Sequence, residues 1–239
     1  LKKLLLALGL ATLFALSASA SDRELIEKIE ASTVMLYTQD LHGGMSFHCT
    51  GTLFNSKHGL LENTYYVLTA AHCAQTDDEQ YFVSLETEES NTFLKAGVVT
   101  VGNIAEGNDF AILKVRTHKT LPTLELGDER DEYSGAPILN VNGRAGQGPQ
   151  VEHGYISELH VDRPLKDEAI DWTGCILVSL TISGGSSGSA IVSATSGKIL
   201  GVVVGQMATG FFSPPISIVM PISRLASITD TPAWEISKK

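Results

Sequence analysis

Short apolar runs alternate with polar or glycine-rich breaks along this chain, and helical spacing is rare. Runs at Thr33–Thr38, Phe47–Phe54, Tyr65–Thr69, Tyr81–Leu85, Ala96–Val101 and Phe110–Val115 have the length and the β-branched and aromatic content of buried strands. A polar stretch from Thr117 to Glu132 reads as a connector. A second set of runs follows at Ala136–Val141, Val151–Leu159, Gly174–Ile182, Ser189–Ser193, Lys198–Gly205 and Ile216–Pro221. Two sets of about six short strands predict an all-β chain folded as two barrels. Helical spacing is confined to the two ends. Ser21-Asp22-Arg23-Glu24 is a capping box ahead of Leu25, Ile26 and Ile29, which predicts a short leading helix packed on the first barrel. Ile222–Ile228 predicts a short closing helix.

The first twenty residues do not fit the strand pattern. Lys2-Lys3, an apolar run from Leu4 to Leu16 and a Ser17-Ala18-Ser19-Ala20 end make residues 1–20 a secretory signal peptide, too short to span a bilayer comfortably. The mature chain then divides into 21–120, the first barrel, and 121–239, the second. Export to the periplasm or the medium of a bacterium is expected, with no membrane attachment after cleavage. The formal net charge of the 239 residues is −10, which becomes −12 once Lys2 and Lys3 are gone. So acidic a protein is repelled by phosphates, and no basic patch with interleaved aromatics offsets this; nucleic acid is excluded as a partner.

Candidate chemistry sits at three breaks in the strand pattern. Ser183-Gly184-Gly185-Ser186-Ser187-Gly188-Ser189 is, by composition, a flexible turn, but it is pinned between two apolar runs. Leu68-Thr69-Ala70-Ala71-His72-Cys73 is the one place where a histidine follows an apolar strand and small residues. Asn108-Asp109 precedes the run Phe110–Leu113, where a loop enters a strand. A serine hydroxyl is a weak nucleophile and needs a base, which needs an anion to hold its tautomer. His72, Asp109 and Ser187 supply base, orienting carboxylate and nucleophile, in that chain order. Asp77 and Asp78 are rival carboxylates, but in an acidic stretch that reads as solvent-facing. The backbone amides of Gly185 and Ser187 are candidate donors to a developing oxyanion. No Cys-x-x-Cys or Cys/His zinc spacing and no phosphate-binding glycine loop is present, so no metal and no cofactor is expected.

Leu68–Cys73, Gly107–Val115 and Gly184–Val192 resemble the three signature blocks of the trypsin/chymotrypsin-like serine proteases. Phe47–Phe54, Leu126-Gly127-Asp128 and Ile199–Gly205 extend the likeness over most of residues 32–225. The resemblance implies two six-stranded antiparallel β-barrels of the chymotrypsin type, with short helices at the N- and C-terminal ends. His72 and Asp109 would come from the first barrel and Ser187 from the second, facing a cleft that takes polypeptide substrates. It also implies a disulfide between Cys49 and Cys73, and a substrate pocket read from Thr181 and from Val204, Gly205 and Gln206. With no acidic residue at Thr181 and no His or Lys in Val202–Met207, an uncharged, small or medium apolar residue is expected before the scissile bond. Phe211 and Phe212 are expected to anchor the Thr209–Pro215 loop. Cys175 is left over, as a buried inert thiol or half of an intermolecular bridge.

Two departures matter. Where digestive members carry an aspartate that captures a freed N-terminus, this chain has Ser186, so the oxyanion turn is expected to form without proteolytic activation. Ser189 follows Gly188, the variant found in bacterial trypsin-like peptidases, including glutamyl endopeptidases and some Deg/HtrA relatives. The chain stops soon after the second barrel, so a regulatory PDZ domain is not expected. The leading function is a secreted serine endopeptidase working through an acyl-enzyme on Ser187. The alternatives are a catalytically silent homologue that binds proteins, and an esterase using the same triad.

Overall fold

The computed structural model describes residues 22–40, 42–75, 80–87, 90–146, 148–162, 172–207 and 216–228. The expected signal segment, Ser21, the acidic Asp77–Glu79 stretch and the Thr209–Pro215 loop with Phe211 and Phe212 fall outside the described residues.

Strands β1 (Thr33–Gln39), β2 (Met45–Lys57), β3 (Asn63–Thr69), β4 (Gln80–Thr87), β5 (Ser90–Val101) and β6 (Ala111–Thr117) close into one barrel in the order β1-β2-β3-β6-β5-β4. Strands β7 (Pro137–Asn142), β8 (Gln150–Glu158), β9 (Ile176–Val178), β10 (Ala190–Ser193), β11 (Ile199–Met207) and β12 (Ile216–Pro221) close into a second, ordered β10-β11-β12-β9-β8-β7. The neighbouring strands of both barrels run antiparallel. Closure leaves neither sheet with a free edge. The period-two pattern that drives it is plainest in β6, where Leu113, Val115 and Thr117 are buried while Lys114 and Arg116 face out.

The barrels share an apolar interior. Leu36, Val67 and Leu113 of the first barrel belong to the same buried cluster as Leu139, Val202 and Met220 of the second. A smaller cluster around Ile138, Ile156, Ile176, Leu200 and Val203 fills the rest of the second barrel. The connector stitches the two together: Leu124 N–H donates to Leu53 O at 3.0 Å, Gly127 N–H to Ile199 O at 2.8 Å, and Ile199 N–H to Glu125 O at 2.8 Å.

Three expectations change in detail. The run expected at Gly174–Ile182 forms a ladder only over Ile176–Val178. Past Val178 a side chain takes over the pairing: Ser179 N–H donates to Tyr155 O, but Tyr155 N–H donates to the Ser179 hydroxyl, both at 3.0 Å. The chain then leaves the sheet toward Ser187. The leading helix, residues 22–32, buries Ile29 but does not rest on the first barrel alone. Its Leu25 reaches Gly197 in the β10–β11 turn of the second. The closing segment Ile222–Ile228 is 3-10 rather than α-helical, burying Ile222 and Leu225.

Candidate active site

His72 lies on a single 3-10 turn, Ala71–Cys73, directly after β3. The turn is fixed on its far side by the disulfide between Cys73 and Cys49 of β2, as the family resemblance implied. Asp109 stands at the mouth of β6, after a 3-10 turn over Ile104–Glu106 that ends on Gly107. The loop is closed by Gly102 N–H donating to Phe110 O at 2.7 Å. The Asp109 carboxylate is 1% exposed. One oxygen, Oδ1, accepts the backbone N–H of His72 at 2.9 Å; the other, Oδ2, pairs with ring Nδ1 at 2.7 Å. An ionised carboxylate can only accept, so in the neutral imidazole Nδ1 carries the proton and Nε2 is left as the acceptor. The imidazole is about one third exposed.

Ser187 is half-buried on the turn between the segment after β9 and strand β10. Its carbonyl accepts the N–H of Thr50 on β2 at 2.9 Å. Gly188, next in the chain, has φ +81°, and a Cβ there would run into Thr69 Oγ1 and Thr50 O and lie 3.0 Å from Ala70 N. Ala70 is two residues from His72, so the serine turn of the second barrel is pressed against the strand end that carries the histidine. Among the described residues no hydrogen bond joins Ser187 Oγ to His72. In unliganded sites such bonds are often long and tighten on substrate.

The amides of Gly185 and Ser187 donate to nothing among the described residues. The orientation of the Gly185 amide has a clear cause. The Gly184 carbonyl accepts the N–H of Ala145 at 2.9 Å. In a trans peptide the C=O and the following N–H point to opposite sides, so the Gly185 N–H is aimed away from Ala145. Gly185 has φ +92° and lies against the Phe47 ring, a place no Cβ could occupy.

An uncharged buried network holds this turn where an aspartate would have been needed. Ser186 Oγ donates to Asn142 Oδ1 at 2.9 Å, and the same oxygen accepts from Arg144 N at 3.1 Å. Asn142 Nδ2 donates to Asn140 Oδ1 at 2.6 Å, and Asn140 Nδ2 to Ser189 Oγ at 2.9 Å. Ser189 Oγ returns to Ser186 O at 2.7 Å. Ser186, Ser189, Asn140 and Asn142 are all fully buried. Sequence reasoning missed the asparagines and Thr50. A signal existed: Asn140 and Asn142 share one face of an otherwise apolar strand, and inward amides demand partners.

Of the expected pocket residues, Thr181 is exposed and its carbonyl accepts from Arg144 Nη1 at 3.4 Å. Val204 is buried, Gly205 half-buried and Gln206 exposed along β11. The two stretches share a neighbour in Ser217, which donates to Leu180 O at 3.0 Å and pairs with Gln206 across the β11–β12 ladder. Cys49, His72 and Cys73 offer ligand atoms within 4.8 Å of one another, but both sulfurs are spent in the disulfide and cannot act as thiolate ligands. Cys175 is buried and is not part of a disulfide.

Two closed six-stranded barrels, with a histidine–carboxylate pair on one and a serine turn of the other pressed beside it, define the chymotrypsin-like fold. The trypsin-like peptidase domain model matches residues 49–202, and the chain belongs to that family. Among solved structures the chain is similar to the HtrA-type protease AlgW. With a bound tripeptide, that structure gives a TM-score of 0.65 at 22% identity over 86% of this chain and 61% of the other. With a decapeptide it gives 0.66 at 21% identity over 86% and 65%. This chain therefore spans less than two thirds of either structure's length. No curated protein sequence matches it.

Proposed function

We propose that this protein is a serine endopeptidase in which His72, Asp109 and Ser187 carry the reaction. The observation behind the reading is the buried Asp109 carboxylate that grips both the backbone and the ring of His72. That grip leaves Nε2 without the carboxylate, as the nitrogen that the proposed reaction assigns to Ser187. In the first step Nε2 takes the Ser187 proton as Oγ attacks a peptide carbonyl. Asp109 stabilises the imidazolium that forms, and the carbonyl oxygen, now anionic, is received by the Gly185 and Ser187 amides. His72 then delivers its proton to the leaving amine, and a water molecule repeats the sequence on the acyl-enzyme.

The uncharged network around Ser186 supports a turn that needs no liberated N-terminus. The peptide-bound state of the AlgW neighbours, and the composition of Thr181 and Val204–Gln206, support a polypeptide substrate with an uncharged, small or medium apolar residue before the scissile bond. The signal-like segment 1–20 supports export. A catalytically silent homologue is the second reading, favoured only by the unmade Ser187–His72 bond.

Labelling of the purified protein with a fluorophosphonate, together with cleavage-site profiling on a proteome-derived peptide mixture, tests both. Ser187→Ala is expected to abolish labelling and lower peptide turnover by at least about 10³-fold. An unlabelled wild-type protein would select the silent homologue, and cleavage confined to Arg, Lys or Glu would overturn the assigned preference.

A further inference from the structure

Thr50 belongs to the first barrel, yet it meets the serine turn of the second with both its backbone and its side chain. It is fully buried. Its N–H donates to Ser187 O at 2.9 Å, and its carbonyl is held by Thr69 Oγ1 at 2.8 Å. Its hydroxyl donates to Gly185 O at 2.7 Å and accepts the N–H of Gly143 at 2.9 Å. A hydroxyl supplies one donor and can accept at the same time, so both bonds are made together.

These two bonds act on the peptide planes that shape the anion site. The Gly185 carbonyl belongs to the plane between Gly185 and Ser186, whose other end is fixed by Ser186 N–H donating to Ser183 O at 3.0 Å. Gly143 opens the turn whose Ala145 N–H holds the Gly184 carbonyl. One hydroxyl therefore constrains Gly185 from both sides: directly through its carbonyl, and through Gly143 and Ala145 to the plane that carries its N–H. Preorganised donors stabilise developing charge because they need not reorient when it appears.

We infer that the Thr50 hydroxyl is a positioning group for the oxyanion site, acting across the junction between the barrels through Gly185 and Gly143. The inference rests on the proposed serine-hydrolase reading. Thr50 touches neither His72 nor Asp109 by any of these bonds, so its removal alters the amide geometry without altering the base.

The test compares wild type, Thr50→Val, Thr50→Ser and Ser187→Ala as purified proteins. It measures the second-order rate of fluorophosphonate labelling across pH, with thermal unfolding followed by circular dichroism. Deleting an entire oxyanion donor costs 10²–10³ in rate, so misaligning one through Thr50→Val is expected to slow labelling about ten- to hundredfold. The midpoint of the acid limb should stay where it is in the wild type, and Thr50→Ser, which keeps the hydroxyl, should return the rate close to wild type. If valine prevents folding, Thr50→Ala serves in the same comparison. A folded hydroxyl-free variant that labels at the wild-type rate overturns the inference. So does a shifted acid limb, or a serine variant as slow as valine. Absence of Ser187-dependent labelling in the wild type overturns instead the hydrolase reading beneath it.

Discussion

Asp109 accepts two hydrogen bonds from one residue, and this makes its chemistry sensitive to a single atom. In Asp109→Asn the carbonyl oxygen can serve the backbone N–H of His72, which places the amide NH2 against ring Nδ1. Two donors then face each other, and the imidazole must move its proton to Nε2, which removes the base. A loss of about 10⁴ in kcat with native circular dichroism is expected, measured on any peptide that the wild type cleaves. The pairing of His72 with Asp109 was legible in the sequence because each residue follows a recognisable strand context. Thr50 was not. It lies in the run Phe47–Phe54 as one more β-former, and only the approach of the second barrel gives its hydroxyl the partners Gly185 and Gly143. Contacts between residues far apart in the chain leave no periodic trace.

At the level of elements, the histidine turn is three residues long and would not hold its shape alone. The bond between Cys49 and Cys73, 24 residues apart, ties it to β2. Replacing both cysteines with alanine is expected to lower stability by about 3 kcal/mol, read from the urea midpoint. Strand existence was legible throughout, because closed barrels impose alternation. Strand limits were less so. The apolar run through Gly174–Ile182 gave no sign that Ser179 would substitute its hydroxyl for a ladder carbonyl and release the chain toward Ser187. The closing segment has helical spacing in its apolar residues, but Ser227 Oγ donates to Arg224 O at 2.6 Å and Asn108 Nδ2 to Ser227 Oγ, bonds that draw it against the Asp109 loop.

Across the whole molecule, neither barrel is an independent unit. One buried cluster runs through both, the connector pairs with β2 and β11, and Arg224 reaches from the closing turn to Gly107 O at 2.6 Å in the first barrel and to Thr173 O in the second. A fragment of residues 21–120 is therefore expected to lack a cooperative thermal transition, because half of that shared interior would be open to water. Differential scanning calorimetry of the fragment against the full chain checks this. The number of barrels was readable from the two sets of runs, but their interdependence was not, since hydrophobic spacing says which residues are inside and not which interior they join.

The neutral clasp around Ser186 also sets the terms on which a cell can hold this protein. If the serine turn forms without an ionic latch, as expected from Ser186, Ser187 has no need of a newly cut amino terminus to become competent. On the proposed reading, restraint is expected to come from where the chain is permitted to fold, or from a molecule lodged in the groove.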